Sequence, residues 1–137
     1  MLGSGLRVSV EGPNGWRVEA DMATVVGGEG SAPSPGWLMR AALASCDAIL
    51  IAMQCAEEGV SVNSLEAVVS SESDDRGLVG SAEDVPAGPL SVQTTVRISA
   101  ERLDRAELSE LIERAIKKSP VADALRREIP VRVEIAD

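Results

Sequence analysis

Two cysteines, Cys46 and Cys55, carry the side chains of this sequence that are best suited to redox chemistry. Both lie in one apolar stretch that predicts a single helix, which places them roughly 13 Å apart along its axis and half a turn around it. Because a disulfide needs Cα atoms within about 7 Å, the two thiols cannot pair within one chain while the helix stands. The apolar neighbours of Cys46 alone favour an inert buried thiol over a reactive thiolate.

Several residue types that other chemistries require are missing. The sequence contains no histidine, which excludes Ser-His-Asp and Cys-His catalysis and nearly every ordinary zinc site. We therefore expect neither a metal nor a cofactor. A net charge of −9 and an aromatic content of 1% oppose nucleic-acid binding, since phosphates need cations and unstacked bases need aromatic platforms.

The long apolar stretch predicts the helix around which the remaining chain is arranged. Ser34 is a typical helix cap, Pro35 suits the first turn and Gly59 suits the left-handed position after the end, which predicts a helix from Pro35 to Glu58. Its circumference is mostly apolar, and a single domain over residues 1–137 is small for covering it. We therefore expect a partner subunit.

The rest of the chain predicts an α+β fold with antiparallel sheet, because strands occur in adjacent runs and not in βαβ alternation. The predicted elements are a hairpin from Leu6–Val10 and Trp16–Ala20, a third short strand at Met22–Val26, strands at Leu65–Ser73 and Leu90–Ile98, a helix opened by Asp104 and Glu107, a short helix opened by Ser119, and a final strand at Ile129–Ile135. Residues 71–89 are expected to form a long polar loop or a hairpin excursion.

The N-terminal sequence shows no basic segment followed by an apolar one, so no secretory signal is expected. The longest unbroken apolar run, Ala48–Met53, is far shorter than the roughly 20 residues that span a bilayer. These features predict a cytoplasmic protein that does not bind membranes.

The segment SPGWLMRAALASC resembles the one that carries the first cysteine of the OsmC-like family, the osmotically inducible and organic hydroperoxide resistance proteins. That family typically has Asn-Pro-Glu-x-Leu-x-x-Ala-x-x-x-x-Cys, and Pro35, Leu38, Ala41 and Cys46 match this pattern at the same spacing. Ser119–Val121 is similar to the later Cys-Pro-Val segment of the family, and the order of elements also agrees.

The resemblance implies antiparallel sheets wrapped around the long central helix in an intertwined homodimer. It also implies a mechanism in which the first cysteine attacks a peroxide and a second cysteine resolves the resulting sulfenic acid through a disulfide. In this sequence Ser119 replaces the second cysteine and Gly36 replaces the glutamate of the motif. The arginine motif of the family has no match, because Arg7 and Arg17 lie in predicted strands, so Cys46 alone remains of the catalytic set.

Two functions stay open at this point. The first is reduction of a small organic hydroperoxide in an oxidative or osmotic stress response, with Cys46 as the catalytic residue and an external thiol as the reductant. The second is non-catalytic binding of a small apolar ligand in a cavity at the dimer interface. The residues expected to line that cavity are Trp37, Met39, Leu43, Leu50 and Met53.

A purely structural or interaction role also stays open. Ser119 is expected to act as a helix cap, because no residue near it in sequence could activate its hydroxyl. Trp37 could equally pack the start of the helix against the loop before it. Arg40 is expected either to pair with Asp47 or to face solvent.

Overall fold

The computed structural model describes residues 5–136, which form four strands and four α-helices. The elements are β1 (Val8–Glu11), β2 (Arg17–Ala20), α1 (Pro35–Glu57), β3 (Val62–Glu72), α2 (Asp75–Leu78), β4 (Ser91–Ala100), α3 (Arg105–Ile116) and α4 (Pro120–Arg126). Short 3-10 turns occupy Pro13–Gly15 and Thr24–Val26. This is the α+β class that the sequence predicts.

The four strands form two sheets of two strands each. In the first sheet β1 and β2 pair antiparallel, with Val8 opposite Ala20. In the second sheet β3 pairs with β4. The Leu90 amide donates to Glu72 at one end of this pair, and the Glu101 amide donates to the Ser61 carbonyl at the other, which shows that these strands are also antiparallel.

The chain divides into two compact units, of which the first comprises residues 5–41 and 69–93 of the described chain and the second residues 42–68 and 94–136. The second unit has its own apolar core, in which Ile51 and Cys55 of α1 pack against Leu111 and Ala115 of α3. All four side chains are almost completely excluded from solvent, which stabilises this unit through the hydrophobic effect. The prediction of one domain over residues 1–137 stays a prediction.

The limits of the two long helices follow the sequence signals. Helix α1 ends one residue before the predicted Glu58, and Gly59 adopts the left-handed conformation with φ +68°. Helix α3 begins with a capping box, in which Asp104 accepts from the amides of Ala106 and Glu107 while Glu107 accepts from the Asp104 amide.

The predicted short strand at Met22–Val26 is wrong, because this segment contains a 3-10 turn. The cause is Asp21, a buried residue whose carboxylate accepts hydrogen bonds from the Met22 amide at 2.8 Å and from the amide and hydroxyl of Ser31 at 3.0 and 2.8 Å. These bonds gather residues 22–31 into a compact loop. The Ser31 amide, as the largest influence, lowers the pKa of Asp21 from its ordinary value.

The predicted final strand at Ile129–Ile135 is also wrong for the isolated chain, since residues 127–136 contain no strand or helix. The alternating side chains Val131, Val133 and Ile135 are 81%, 89% and 98% exposed. A strand requires a neighbour that supplies backbone hydrogen bonds, and no described strand of this chain pairs with the segment. Residues 129–135 thus have the alternating apolar pattern of a strand but pair with no described strand of this chain.

Among the described residues, helix α1 is long and apolar enough to cross a membrane by length and composition alone. It also contains two buried polar residues with partners in the second unit. Asp47 accepts a hydrogen bond from Thr94, and Gln54 accepts one from Lys118. Because polar groups are costly in lipid, these contacts favour a core helix over a membrane span.

Candidate functional site

The thiol of Cys46 is half-buried in α1 and lies beside Ser119, the residue that caps the start of α4. The Ser119 hydroxyl donates a hydrogen bond to the Cys46 sulfur at an Oγ–Sγ distance of 3.3 Å. The same hydroxyl oxygen accepts from the Ala122 amide at 3.2 Å and so caps α4, with Pro120 in the first helical position. Ser119 therefore caps a helix and contacts the candidate nucleophile at the same time.

A polar network holds the junction between α3 and α4 against α1. Lys118 donates to the Gln54 carbonyl at 2.9 Å, and the Gln54 amide donates to Glu58 at 2.7 Å. Arg114 on α3 donates to both carboxylate oxygens of Glu58, at 3.0 and 3.1 Å, and this contact is the largest cause of a lowered pKa at Glu58. The network joins α1 to α3 and to the residue immediately before Ser119.

Asp47, the neighbour of Cys46, is 1% exposed, and one of its carboxylate oxygens accepts from the Thr94 hydroxyl at 2.9 Å. Its other carboxylate oxygen is buried and has no hydrogen-bond partner among the described residues. Arg40 and Asp47 do not form the pair that was one of the two expectations for Arg40, since Arg40 donates instead to the Ser71 hydroxyl at 3.1 Å. The sequence could not reveal either partner because both lie on distant strands.

Cys55 has a different environment from Cys46. It belongs to the apolar core of the second unit and is 1% exposed. Burial, followed by the charge of Glu58, raises the pKa of the Cys55 thiol, which opposes formation of a thiolate. The accessible thiol is therefore that of Cys46.

Of the five residues expected to line a ligand cavity, only Met39 lines the cavity found in the first unit. Leu43 is buried, and Leu50 packs against the apolar core of the second unit. Trp37 and Met53 are 50% and 52% exposed, so about half of each side chain faces solvent. The prediction concerns a cavity at the dimer interface, which the single chain does not contain, so it stays a prediction.

The cavity in the first unit has a volume of about 570 Å³ and was not expected from the sequence. Its walls come from residues 22–26, the start of α1, the end of β3 with α2, and residues 87–89. Among the described residues that line it, Arg40 is the one that is basic. Because the four wall segments are far apart along the chain, no local pattern could have predicted the cavity.

Within residues 5–136 no cluster of three or more cysteine or acidic side chains is arranged to hold a metal ion. The site is therefore described by one half-buried thiol on a long helix and by a capping serine in contact with it. A long helix with antiparallel two-stranded sheets defines an α+β protein, and its candidate site is the half-buried thiol of Cys46.

The family follows from comparison with known proteins. The sequence profile described as OsmC-like protein matches residues 28–134, and the chain belongs to this family. The family includes organic hydroperoxide resistance proteins and is linked to stress response. No curated protein sequence gives a significant match to the chain.

Solved structures show the same fold. An OsmC-like protein from Mycoplasma pneumoniae is 14% identical with a TM-score of 0.68, and the match covers 92% of this chain and 89% of that one. An organic hydroperoxide resistance protein from Elizabethkingia anophelis is 15% identical with a TM-score of 0.64, covering 92% and 90%. The organic hydroperoxide resistance protein OsmC of Legionella pneumophila is 20% identical with a TM-score of 0.58, covering 92% and 91%.

Proposed function

We propose that this protein reduces organic hydroperoxides through Cys46 and that an external thiol regenerates it. The observation that carries the proposal is the half-buried Cys46 sulfur 3.3 Å from the Ser119 hydroxyl, at the position that resembles the second cysteine of the family. Membership of a family that contains organic hydroperoxide resistance proteins supports the choice of substrate.

In the proposed reaction the Cys46 thiolate attacks the terminal oxygen of the hydroperoxide. The sulfur–oxygen bond forms as the oxygen–oxygen bond breaks, and the organic fragment takes a proton and leaves as an alcohol. The peroxide is reduced by two electrons, and the sulfur is oxidised to a sulfenic acid. The Ser119 hydroxyl, which already donates to the sulfur, stabilises the thiolate form before the attack.

Regeneration then requires two equivalents of an external thiol, because a serine at position 119 cannot form a disulfide. The first thiol condenses with the sulfenic acid, releases water and leaves a mixed disulfide on Cys46. The second thiol attacks that disulfide, so that Cys46 returns to the thiol and the reductant leaves as its own disulfide.

The proposal includes an intertwined homodimer. Its support is apolar surface that the single chain leaves uncovered: Ile49 and Met53 on α1 are 60% and 52% exposed, and the alternating residues after α4 pair with none of the described strands. Exposed apolar surface of this kind is typical of an interface between subunits. Sedimentation velocity over a range of protein concentrations tests it, and a monomer at all concentrations would contradict it.

The experiment on catalysis uses the reduced full-length protein, cumene hydroperoxide and dimedone, which traps sulfenic acids. We expect loss of the peroxide and a dimedone adduct at Cys46, located by peptide mass spectrometry. The Cys46→Ser variant should lose both, whereas the Cys55→Ser variant serves as the matched control and should retain both. Wild-type protein that neither consumes peroxide nor gains an adduct would refute the proposal.

A second candidate function is binding of a small apolar molecule without catalysis. It is favoured by the open cavity of about 570 Å³ in the first unit, together with the replacement of two family residues by Gly36 and Ser119. Native mass spectrometry and a thermal-shift screen of small apolar compounds test it. A screen without any bound compound, alongside a readily oxidised Cys46, would eliminate this candidate.

A further inference from the structure

The cavity in the first unit has mostly apolar walls. The apolar lining residues are Met22, Ala23, Val25, Val26, Pro35, Met39, Leu78, Ala87 and Pro89. Its volume of about 570 Å³ lies within the range of roughly 300–1,000 Å³ that is usual for small-molecule sites. Such walls would contact the hydrocarbon part of a ligand and leave a few polar groups to set its orientation.

Among the described residues, the half-buried charged group on this lining that has no partner of opposite charge is Arg40. Its side chain is half-buried, and its one hydrogen bond among the described residues goes to the neutral Ser71 hydroxyl at 3.1 Å. A guanidinium that is partly withdrawn from water is stabilised by an anion that accepts from its fork of donors. The Ser71 hydroxyl, which accepts from Arg40, keeps its own proton available as a second donor.

The two acidic residues on the lining do not fill this role. Asp74 is held by Arg76, whose guanidinium lies 2.6 Å from its carboxylate and lowers the pKa of Asp74 to about 2. Asp75 is exposed to solvent. The negative charges of the lining are thus either paired or hydrated, whereas the positive charge of Arg40 is neither fully hydrated nor paired with a carboxylate.

Gly36 leaves open space beside this guanidinium. A Cβ atom built at position 36 would lie 3.8 Å from Nη1 of Arg40 and 4.0 Å from the Ser34 hydroxyl, so nothing blocks the position. A carboxylate that enters the cavity can occupy this space and reach the arginine. A glutamate at position 36 could supply the same group from within the chain.

We propose that this cavity binds a small apolar molecule bearing one carboxylate, with Arg40 as the charged anchor, Ser71 as a second donor and the methionine-containing walls around the hydrocarbon part. The inference rests on the second candidate function, binding of a small molecule, and names the class of ligand and the residue that selects it. It requires no chemistry at Cys46.

The test compares sodium octanoate with octanamide by isothermal titration calorimetry on the full-length protein. The two probes have the same hydrocarbon chain, and only octanoate carries a charge. We expect octanoate to bind at least roughly ten-fold more tightly, because hydrogen bonds to a charged group contribute about that factor or more. This comparison uses the wild-type protein, so it does not depend on whether any variant folds.

Three variants extend the test, one of them a control. Arg40→Gln should weaken octanoate binding by at least roughly ten-fold and abolish the preference over octanamide. Gly36→Glu, which keeps Arg40 but adds an internal carboxylate, should weaken octanoate binding as well. Arg97→Gln removes an arginine that pairs with Glu66 on the exposed sheet surface, and as the matched control it should leave binding unchanged. Circular dichroism confirms that each variant is folded.

The outcomes separate this inference from the functions proposed above. Octanamide binding as tight as octanoate would overturn the inference and leave apolar binding in place. No octanoate binding, or unchanged binding in folded Arg40→Gln, would also overturn it. A Cys46→Ala protein that binds octanoate normally, while the wild type fails to reduce peroxide, would support the inference and refute the catalytic proposal.

Discussion

Replacing Ser119 with cysteine would give Cys46 a partner with which to form a disulfide. The Ser119 oxygen lies 3.3 Å from the Cys46 sulfur, and a disulfide needs the two sulfurs about 2.05 Å apart. A sulfur atom is carried on a longer bond than a hydroxyl oxygen, so the longer bond and a rotation of the new side chain together have to close a gap of about 1.2 Å. We expect Ser119→Cys to oxidise readily to an intramolecular disulfide.

The size of the stabilisation follows from the length of chain that the disulfide would close. The two positions are 73 residues apart. For a loop of that length the chain-entropy relation gives about 4.4 kcal/mol of added stability. The substitution also removes the hydroxyl that accepts from the Ala122 amide, and loss of such a cap costs about 1 kcal/mol. The oxidised variant should therefore gain roughly 3 kcal/mol over the wild type.

Urea unfolding of the oxidised and reduced variant, at one fixed protein concentration, measures this difference. The reduced variant should be about 1 kcal/mol less stable than the wild type, and the oxidised one roughly 3 kcal/mol more stable. The double variant Cys46→Ala with Ser119→Cys is the control and should show no dependence on oxidation. Free thiols at both positions after mild oxidation would refute the contact between Cys46 and position 119.

Three further outcomes follow from other parts of the structure. Gly77→Ala should lower the melting temperature, because the added methyl group would overlap the Pro86 carbonyl, whereas Gly88→Ala, which meets nothing, is its control. Replacing Asp21 by Asn should destabilise the protein most at pH values above 3.8, the ordinary pKa of the carboxyl group. The pKa of Asp21 is lowered in the folded protein, so the carboxylate contributes stability that is lost as the pH falls through the folded pKa. Equal losses of unfolding free energy at pH 2 and pH 7 would contradict this. Ile49→Glu should weaken the proposed dimer in sedimentation experiments, because it places a charge on exposed apolar surface of α1, and unchanged association would exclude that face from the interface.

The sequence predicts those elements whose signals are local. Helix α1 follows Ser34 and Pro35 and ends before Gly59, and α3 follows the capping box of Asp104, so hydrogen bonds within a few residues determine both. The strand predicted at Met22–Val26 is wrong because the hydrogen bonds that decide it come from Ser31 to Asp21, across the loop. The alternation of apolar and polar residues alone cannot reveal a hydrogen bond between residues ten positions apart.

The candidate site was only partly predictable for the same reason. Resemblance to the family assigns related roles to Cys46 and position 119, but their contact joins residues 73 positions apart and could not be derived from local sequence signals. The sequence did not predict the cavity, because its walls come from segments that are far apart along the chain. The hydrogen bond from Arg40 to Ser71, for example, joins residues that are 31 positions apart. The sequence shows which charged and small residues lie on α1, but it does not show which segments form the other walls of the cavity.

The exposure of the two tryptophans determines what optical spectroscopy can detect in this protein. Trp16 and Trp37 are 77% and 50% exposed, and the chain contains no tyrosine or phenylalanine. Indole emission moves to shorter wavelengths when the ring leaves water, so unfolding will change the signal from Trp16 very little. Covering of Trp37 by a partner subunit would instead give a shift to the blue. Intrinsic fluorescence of this protein should therefore report contacts at the surface more strongly than the integrity of its core.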